Sequence, residues 1–217
     1  MAATAVDSTR IIGLTGGIAS GKTTVSSMLR ELGAYVVDAD VWARRVVEPG
    51  SDGLAEIVSA FGGDILMPDG TLNRSRLATI IFHDASLRDV LNRITHPRVR
   101  AGMLAETAAY ASQRPGQPVI WDVPLLFEGE THRLVGATIL VYVPLHVQKE
   151  RLMVRNQLTE AEALARMAAQ MPLDDKRALA TYVIDNSQSL EFTREQVQRI
   201  WQMVGGQKEF RGDRAKQ

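Results

Sequence analysis

Gly13–Val25, "GLTGGIASGKTTV", decides the reading of this chain. It sets glycines around a lysine, between an apolar run "IIGLT" (11–15) and a segment of helical spacing, "KTTVSSMLREL" (22–32). Residues 16–23 satisfy G-x-x-x-x-G-K-[ST]. Glycine opens backbone conformations closed to other residues, so successive N–H groups can point into one concavity. The following helix adds the partial positive charge of its N-terminus, and Lys22 adds a full one. Such a concavity suits the phosphates of ATP or GTP. The expected nucleotide contacts are Gly17, Ile18, Ala19, Ser20, Gly21, Lys22, Thr23 and Thr24. Lys22 would bridge the terminal phosphates, and Thr23 would offer its hydroxyl to Mg²⁺. The competing reading is a glycine-rich turn carrying a chance lysine. Against it stands the context: a strand before the loop and, after it, a helix with Val25, Met28, Leu29 and Leu32 on one stripe and Gly33 placed to end it.

Working outward, four more apolar runs read as strands: "AYVVDAD" (34–40), "PVIWDV" (118–123), "ATILVYV" (137–143) and "TYVIDN" (181–186). They are nearly continuous in Val, Ile and Tyr rather than alternating, as strands covered on both faces are. With helical segments between them, the expected core is α/β with a five-stranded parallel sheet of the P-loop, nucleotide-kinase-like kind. The second and third runs are too far apart for one crossover helix. The interval holds "GLAEIVSAFG" and then helical spacing at Leu77, Ile80, Ile81, Leu87, Val90, Leu91 and Ile94, which predicts at least two helices in an inserted lobe. "RPGQP" (114–118) returns the chain to the sheet. After the fourth run, "VQKERLMVRNQL" and "TEAEALARMAAQM" predict two helices. The second is opened by a Thr159/Glu162 capping box and ended by Pro172. Leu190 to Val204 predicts a last helix. The expected division is a nucleotide-binding core of 10–50, 115–144 and 180–204, a substrate-binding lobe of 51–114 and a lid of 145–179. Flexible tails are expected at 1–9 and 205–217.

Of the 217 residues, 45% are hydrophobic and 23% charged, which is enough apolar material for a sizeable core. Twenty-five basic residues balance twenty-five acidic ones, which argues against a protein coated in positive charge for nucleic acid. There is no cysteine, so disulfides, thiolate nucleophiles and cysteine-based zinc sites are excluded. No apolar run reaches the length of a membrane span, and the N-terminus lacks the basic-then-apolar pattern of a signal peptide. The expectation is a cytoplasmic monomer acting on small molecules, with no nucleic acid or membrane partner.

A base-reading Asn/Thr-Lys-x-Asp motif of the GTPase type is absent. A small kinase remains, whose inserted lobes would hold a second substrate and exclude water. Two rivals share the loop: a nucleotide or nucleoside kinase of related architecture, and a P-loop module that binds ATP without turnover.

Eight segments then resemble one family in order and approximate spacing. They are "LTGGIASGKTTV", "VVDADVWARRVVEPG", "FGGDIL…DGTLNRSRL", "IFHD", "ITHPRV", "WDVPLLFE", "VQKERLMVRNQLTEAEALARMAAQ" and "YVIDN", which are similar to those of dephospho-coenzyme A kinases over about residues 11–186. Ala19 stands where that family usually has glycine, and Thr23 where it usually has serine. The resemblance implies transfer of the γ-phosphoryl of ATP to the ribose 3′-hydroxyl of dephospho-CoA, with ATP as co-substrate and Mg²⁺ as cofactor.

Under that resemblance Asp40 accepts the proton of the attacking hydroxyl, with Asp38 beside it. The sequence alone also allows either aspartate to cap the following helix. Asp122, at the end of its strand, stands where P-loop proteins hold Mg²⁺; Glu128 could share or replace it. Arg151 and Arg155, four apart and so on one helix face, could close over the transferring phosphoryl or form only surface ion pairs. Arg155 is the better match to the family's lid arginine. Arg44, Arg74, His96 and Arg98 are candidates for dephospho-CoA, although His96 before Pro97 equally fits a structural role at a helix break. Asn186 is expected either near the adenine of ATP or as a turn residue.

Overall fold

The computed structural model describes residues 7–82 and 84–205. The expected tails lie largely outside this range, as does His83 of "IFHD". The described chain divides into two compact units, one of residues 7–36 and 114–205, the other of residues 37–113.

The first unit is built on a five-stranded parallel sheet. β1 (Ile11–Gly16) is followed by α1 (Lys22–Glu31) and β2 (Tyr35–Asp38); then come β3 (Val119–Asp122), β4 (Ala137–Tyr142), α6 (Leu145–Asn156), α7 (Glu160–Ala168), α8 (Leu173–Leu179), β5 (Tyr182–Asp185) and α9 (Leu190–Val204). The strand order is β2-β3-β1-β4-β5. β1 is central, with Leu14 opposite Asp122 of β3 and Ile139 of β4. The chain crosses to opposite sides of β1 on its later passes, so the end of β1 is the topological switch point, where α/β sheets open a crevice for ligands. All six residues of β1 are buried, as a central strand requires.

One face of the sheet is closed by α1 and α9. Val25, Met28 and Leu29 meet Val197 and Ile200 over Ile12, Leu14, Ile120, Ile139, Val141 and Ile184. The other face is covered in part by α8 through Leu173, against Leu140 and Val143. Gly33, with φ of 87°, takes the left-handed turn after α1 that a β-carbon would strain.

The second unit is helical: α2 (Ala39–Arg45), α3 (Asp52–Phe61), α4 (Arg74–Phe82) and α5 (Ala85–Gln113). Its core is Val47, Ile57, Ile65, Leu77 and Ile94, with Leu72, Ile80, Ile81, Val90 and Leu91 packed round it. Trp42 of α2 lies against Gly102 of α5, donates from Nε1 to Glu106 (2.6 Å) and carries the Arg45 guanidinium 5.0 Å above its ring.

Three sequence expectations need correction. The segment 34–40 is not extended to its end: the strand stops at Asp38, whose carboxylate accepts from the N–H of Asp40 (2.8 Å) and Val41 (3.3 Å) as the N-cap of α2. Pro97 does not mark a helix break, for α5 runs through it. Proline removes the donor that would reach the Arg93 carbonyl and crowds the preceding turn, yet the helix continues; at the neighbouring position Arg98 Nη1 donates to the Ile94 carbonyl at 2.7 Å. Pro172 does not end α7, which stops at Ala168; it is the N-cap of α8, a helix that periodicity did not reveal. The Thr159/Glu162 capping box forms as expected.

Candidate active site

The loop between β1 and α1 begins where the hydrogen-bonded edge of β1 runs out. Ser20 N–H closes a turn onto the Gly17 carbonyl (3.1 Å), and Thr24 N–H closes onto Gly21 (2.9 Å). Two positive φ angles bend it: Gly21 at 90°, as the N-cap of α1, and Ala19 at 61°. The α1 N-terminus thus faces the loop with no side-chain cap, leaving its first N–H groups for a ligand. Ser20 is fully buried beneath the loop, its hydroxyl against Gly16.

Gly21 is required twice over. Its φ disfavours a side chain, and a β-carbon there would run into the Asn186 amide. Asn186 is itself buried at 5% exposure. Its Nδ2 donates to the Ser20 carbonyl (2.8 Å), and its Oδ1 accepts from Thr193 Oγ1 (2.9 Å). The residue expected at an adenine or in a turn therefore braces the loop backbone.

Lys22 is ion-paired with Asp122 at the end of β3. The side chains are 18% and 5% exposed, so the pair is largely withdrawn from water, the carboxylate more so than the ammonium. Thr23, one residue on, is exposed. Thr23 and Asp122 offer a hydroxyl and a carboxylate, both hard oxygen ligands suited to Mg²⁺. Among the described residues no three His, Cys, Asp or Glu side chains cluster as a metal cage. Glu128 is committed elsewhere: its Oε1 pairs with the fully buried Lys176 (2.7 Å) and accepts from Met171 N–H (3.2 Å), tying the segment after β3 to α8.

Arg151 and Arg155 lie on α6, the first half-buried and the second exposed, with Arg155 Nε donating to Asn156 Oδ1 (2.9 Å). The same helix carries Gln148, whose Nε2 donates to the Ile18 carbonyl (2.8 Å); Gln170, beyond α7, accepts from Ile18 N–H (2.8 Å). Neither glutamine, nor Lys176, was singled out by the sequence. Each is a polar residue in a polar stretch, and only the fold shows what it meets.

The remaining candidates fall in the helical unit. Asp38 and Asp40 are the N-cap and first turn of α2, and Asp40 is exposed. Carboxylates at a helix N-terminus are favoured by its dipole. Arg44 on α2 and Arg74 at the start of α4 are exposed. Arg98 is bound to Ile94 and to Glu56 (2.5 Å). His96 is on α5, where partial burial and then the nearby Arg100 charge hold its imidazole below the usual histidine range.

Comparison with known proteins follows the same outline. The sequence model of the dephospho-CoA kinase family matches residues 10–191. A dephospho-CoA kinase of Listeria innocua is 51% identical over 189 residues, 87% of this chain and 94% of that protein. One of Anaeromyxobacter dehalogenans is 50% identical over 179 residues, 82% of this chain and 84% of its own length. Among solved structures, a Thermus thermophilus protein superposes with a TM-score of 0.75 at 35% identity, covering 90% of this chain and 98% of its own. A dephospho-CoA kinase from Campylobacter jejuni gives 0.70 at 26%, covering 90% and 97%.

Proposed function

This chain belongs to the dephospho-CoA kinase family, and on that premise we propose how its own residues carry the reaction. The γ-phosphoryl of ATP passes to the ribose 3′-hydroxyl of dephospho-CoA, giving coenzyme A and ADP, the last step of coenzyme A synthesis. One P–O bond forms to the sugar oxygen as the bond to the ADP oxygen breaks, and the hydroxyl proton leaves to a base.

The observation that carries the assignment of the nucleotide site is the uncapped N-terminus of α1 behind a braced glycine loop, with Lys22 beside it. In this proposal the loop N–H groups that the loop's own turns leave over, of Ala19, Gly21, Lys22 and Thr23, take the phosphate oxygens, with Ser20 and Thr24 shaping the loop around them. Lys22 moves from Asp122 onto the terminal phosphates, where its charge offsets that developing in transfer. Asp122, released, and Thr23 would hold Mg²⁺, which when bound draws charge from the phosphate oxygens. Asp40 orients the hydroxyl and accepts its proton, a role supported by family resemblance and by its exposure in the first turn of α2. Arg155, with Arg151 on the same face of α6, meets the phosphoryl group in flight; a guanidinium stays charged and matches phosphate geometry. Arg44, Arg74, His96 and Arg98 are proposed for the diphosphate and adenosine parts of dephospho-CoA, with Arg98 having first to leave Glu56.

The same proposal includes action as a cytoplasmic monomer on small molecules rather than nucleic acid. No helix among the described residues is long and apolar enough to cross a membrane. The test is acceptor choice: ADP release is followed with dephospho-CoA, AMP, CMP and adenosine in parallel. Turnover with dephospho-CoA is expected, and turnover confined to a mononucleotide would overturn the assignment. ATP binding with no acceptor-dependent release would mark a binding module instead.

A further inference from the structure

We infer that Gln148 and Gln170 are positioning residues that set the phosphate-binding loop by holding the two peptide groups of Ile18. The inference rests on the reading of residues 16–23 as the ATP loop.

Ile18 N–H donates to Gln170 Oε1, and Ile18 C=O accepts from Gln148 Nε2, both at 2.8 Å. Gln148 is 5% exposed, so its amide works where water does not compete. The next residue, Ala19, is held at φ 61°, a left-handed conformation that side chains other than glycine rarely take. Such a conformation persists only where the surroundings over-determine it. The surroundings here are the two glutamines together with Leu152, Ala163 and Met167, against which Ile18 and Ala19 pack. The methyl that sets Ala19 apart from glycine therefore has an apolar seat.

Gly17 completes the arrangement. A β-carbon on it would stand 2.6 Å from Gln148 Nε2, so glycine is what admits the glutamine to the loop. Gln148 lies in the first turn of α6, and Gln170 follows α7. The helices proposed as a lid are thus rooted on the loop itself. With both peptide groups of Ile18 fixed, the N–H groups from Ala19 onward keep a set direction, and a nucleotide need not organise them on binding.

The glutamines do opposite work, which gives a test. Gln170 serves as an acceptor, a role glutamate retains; Gln148 serves as a donor, a role ionised glutamate lacks. Gln148→Glu and Gln170→Glu add the same charge. ATP affinity is measured by calorimetry, kcat at saturating ATP, and thermal midpoint for each variant. At pH 8, Gln148→Glu, Gln148→Ala and Gln170→Ala are expected to weaken ATP binding about tenfold. Gln170→Glu is expected to recover most of the loss seen in Gln170→Ala. Lowering the pH should restore affinity in Gln148→Glu alone, as its protonated carboxyl regains a donor.

A purely structural role would lower kcat and the midpoint through loss of folded protein, with affinity per folded molecule unchanged. That result, or equal behaviour of the two glutamate variants, overturns the inference. If Gln148→Glu does not fold, the contrast of Gln170→Ala with Gln170→Glu decides alone. Lys22→Ala is the control: if it too leaves ATP affinity intact, the loop reading has failed. If it weakens ATP binding and the glutamine variants do not, only the present inference has failed.

Discussion

Asn186→Ala perturbs the loop from behind without touching any group proposed to meet the nucleotide's phosphates. The substitution removes the donor to the Ser20 carbonyl (2.8 Å) and the acceptor for Thr193 Oγ1 (2.9 Å) at a site only 5% exposed. Thr193 keeps a partner, since its hydroxyl also donates to the Ser189 carbonyl at 3.2 Å. The Ser20 carbonyl loses its side-chain donor. A hydrogen bond between neutral groups contributes a net ~0.5–1.5 kcal/mol, and a buried polar group left unmatched costs ~1–3 kcal/mol. Taken together, with overlap between the terms, the expected destabilisation is about 2–4 kcal/mol. For a chain of this size that lowers the thermal midpoint by about 4–16 °C. ATP affinity should fall as well, because the Ser20–Gly21 peptide is freed. The assay is scanning calorimetry with and without ATP, beside Asn186→Asp. The aspartate still accepts from Thr193 but turns a carboxylate towards the Ser20 carbonyl, so it should be no better than alanine. A midpoint for Asn186→Ala within about 1 °C of the parent would refute the reasoning, for then the brace is not contributing.

Other outcomes follow from separate parts of the molecule. Gly102→Ala places a methyl where the Trp42 ring lies, so it should destabilise by ~1–3 kcal/mol in denaturant unfolding; without that ring, alanine in a helix would stabilise by up to ~1 kcal/mol, and a stabilised variant would contradict the packing. Arg155→Ala should reduce kcat by ~10³ or more with an unchanged thermal midpoint, Arg151→Ala less so; equal and small effects would remove both from the chemistry. Folded His96 binds its proton less readily than the unfolded chain does, so its contribution to stability is present above pH ~6.5 and lost as pH falls below that value. His96→Gln should flatten this part of a stability-against-pH curve, and an identical curve would count against the histidine as its source.

Much of this architecture is legible in the chain because it rests on local pattern. Val25, Met28 and Leu29 announce the buried face of α1, and the apolar runs of β1, β3, β4 and β5 announce strands covered on both sides. The capping box at Thr159 forms because its two hydrogen bonds lie within one turn. Elsewhere short-range signals compete. Asp38 and Asp40 follow a β-branched run that reads as extended, yet Asp38 also caps, and the cap wins at Asp40. Proline at 97 and at 172 is a helix boundary by propensity alone; tertiary packing carries α5 through one, and the other begins α8. Asn186, Gln148, Gln170 and Lys176 depend on partners more than a hundred residues away, or, for Lys176 and Glu128, on a pairing formed only when α8 docks. Nothing in their neighbours' sequence signals that.

The measurement that bears most directly on the account follows a label. Protein supplied with Mg²⁺, dephospho-CoA and ATP labelled in its γ-phosphoryl group should yield one labelled coenzyme A per ADP, with the label on the ribose 3′-oxygen. Asp40→Asn should bind ATP with near-unchanged affinity and yield no labelled product. Label appearing in inorganic phosphate irrespective of dephospho-CoA, or full transfer by the Asp40→Asn variant, would contradict it.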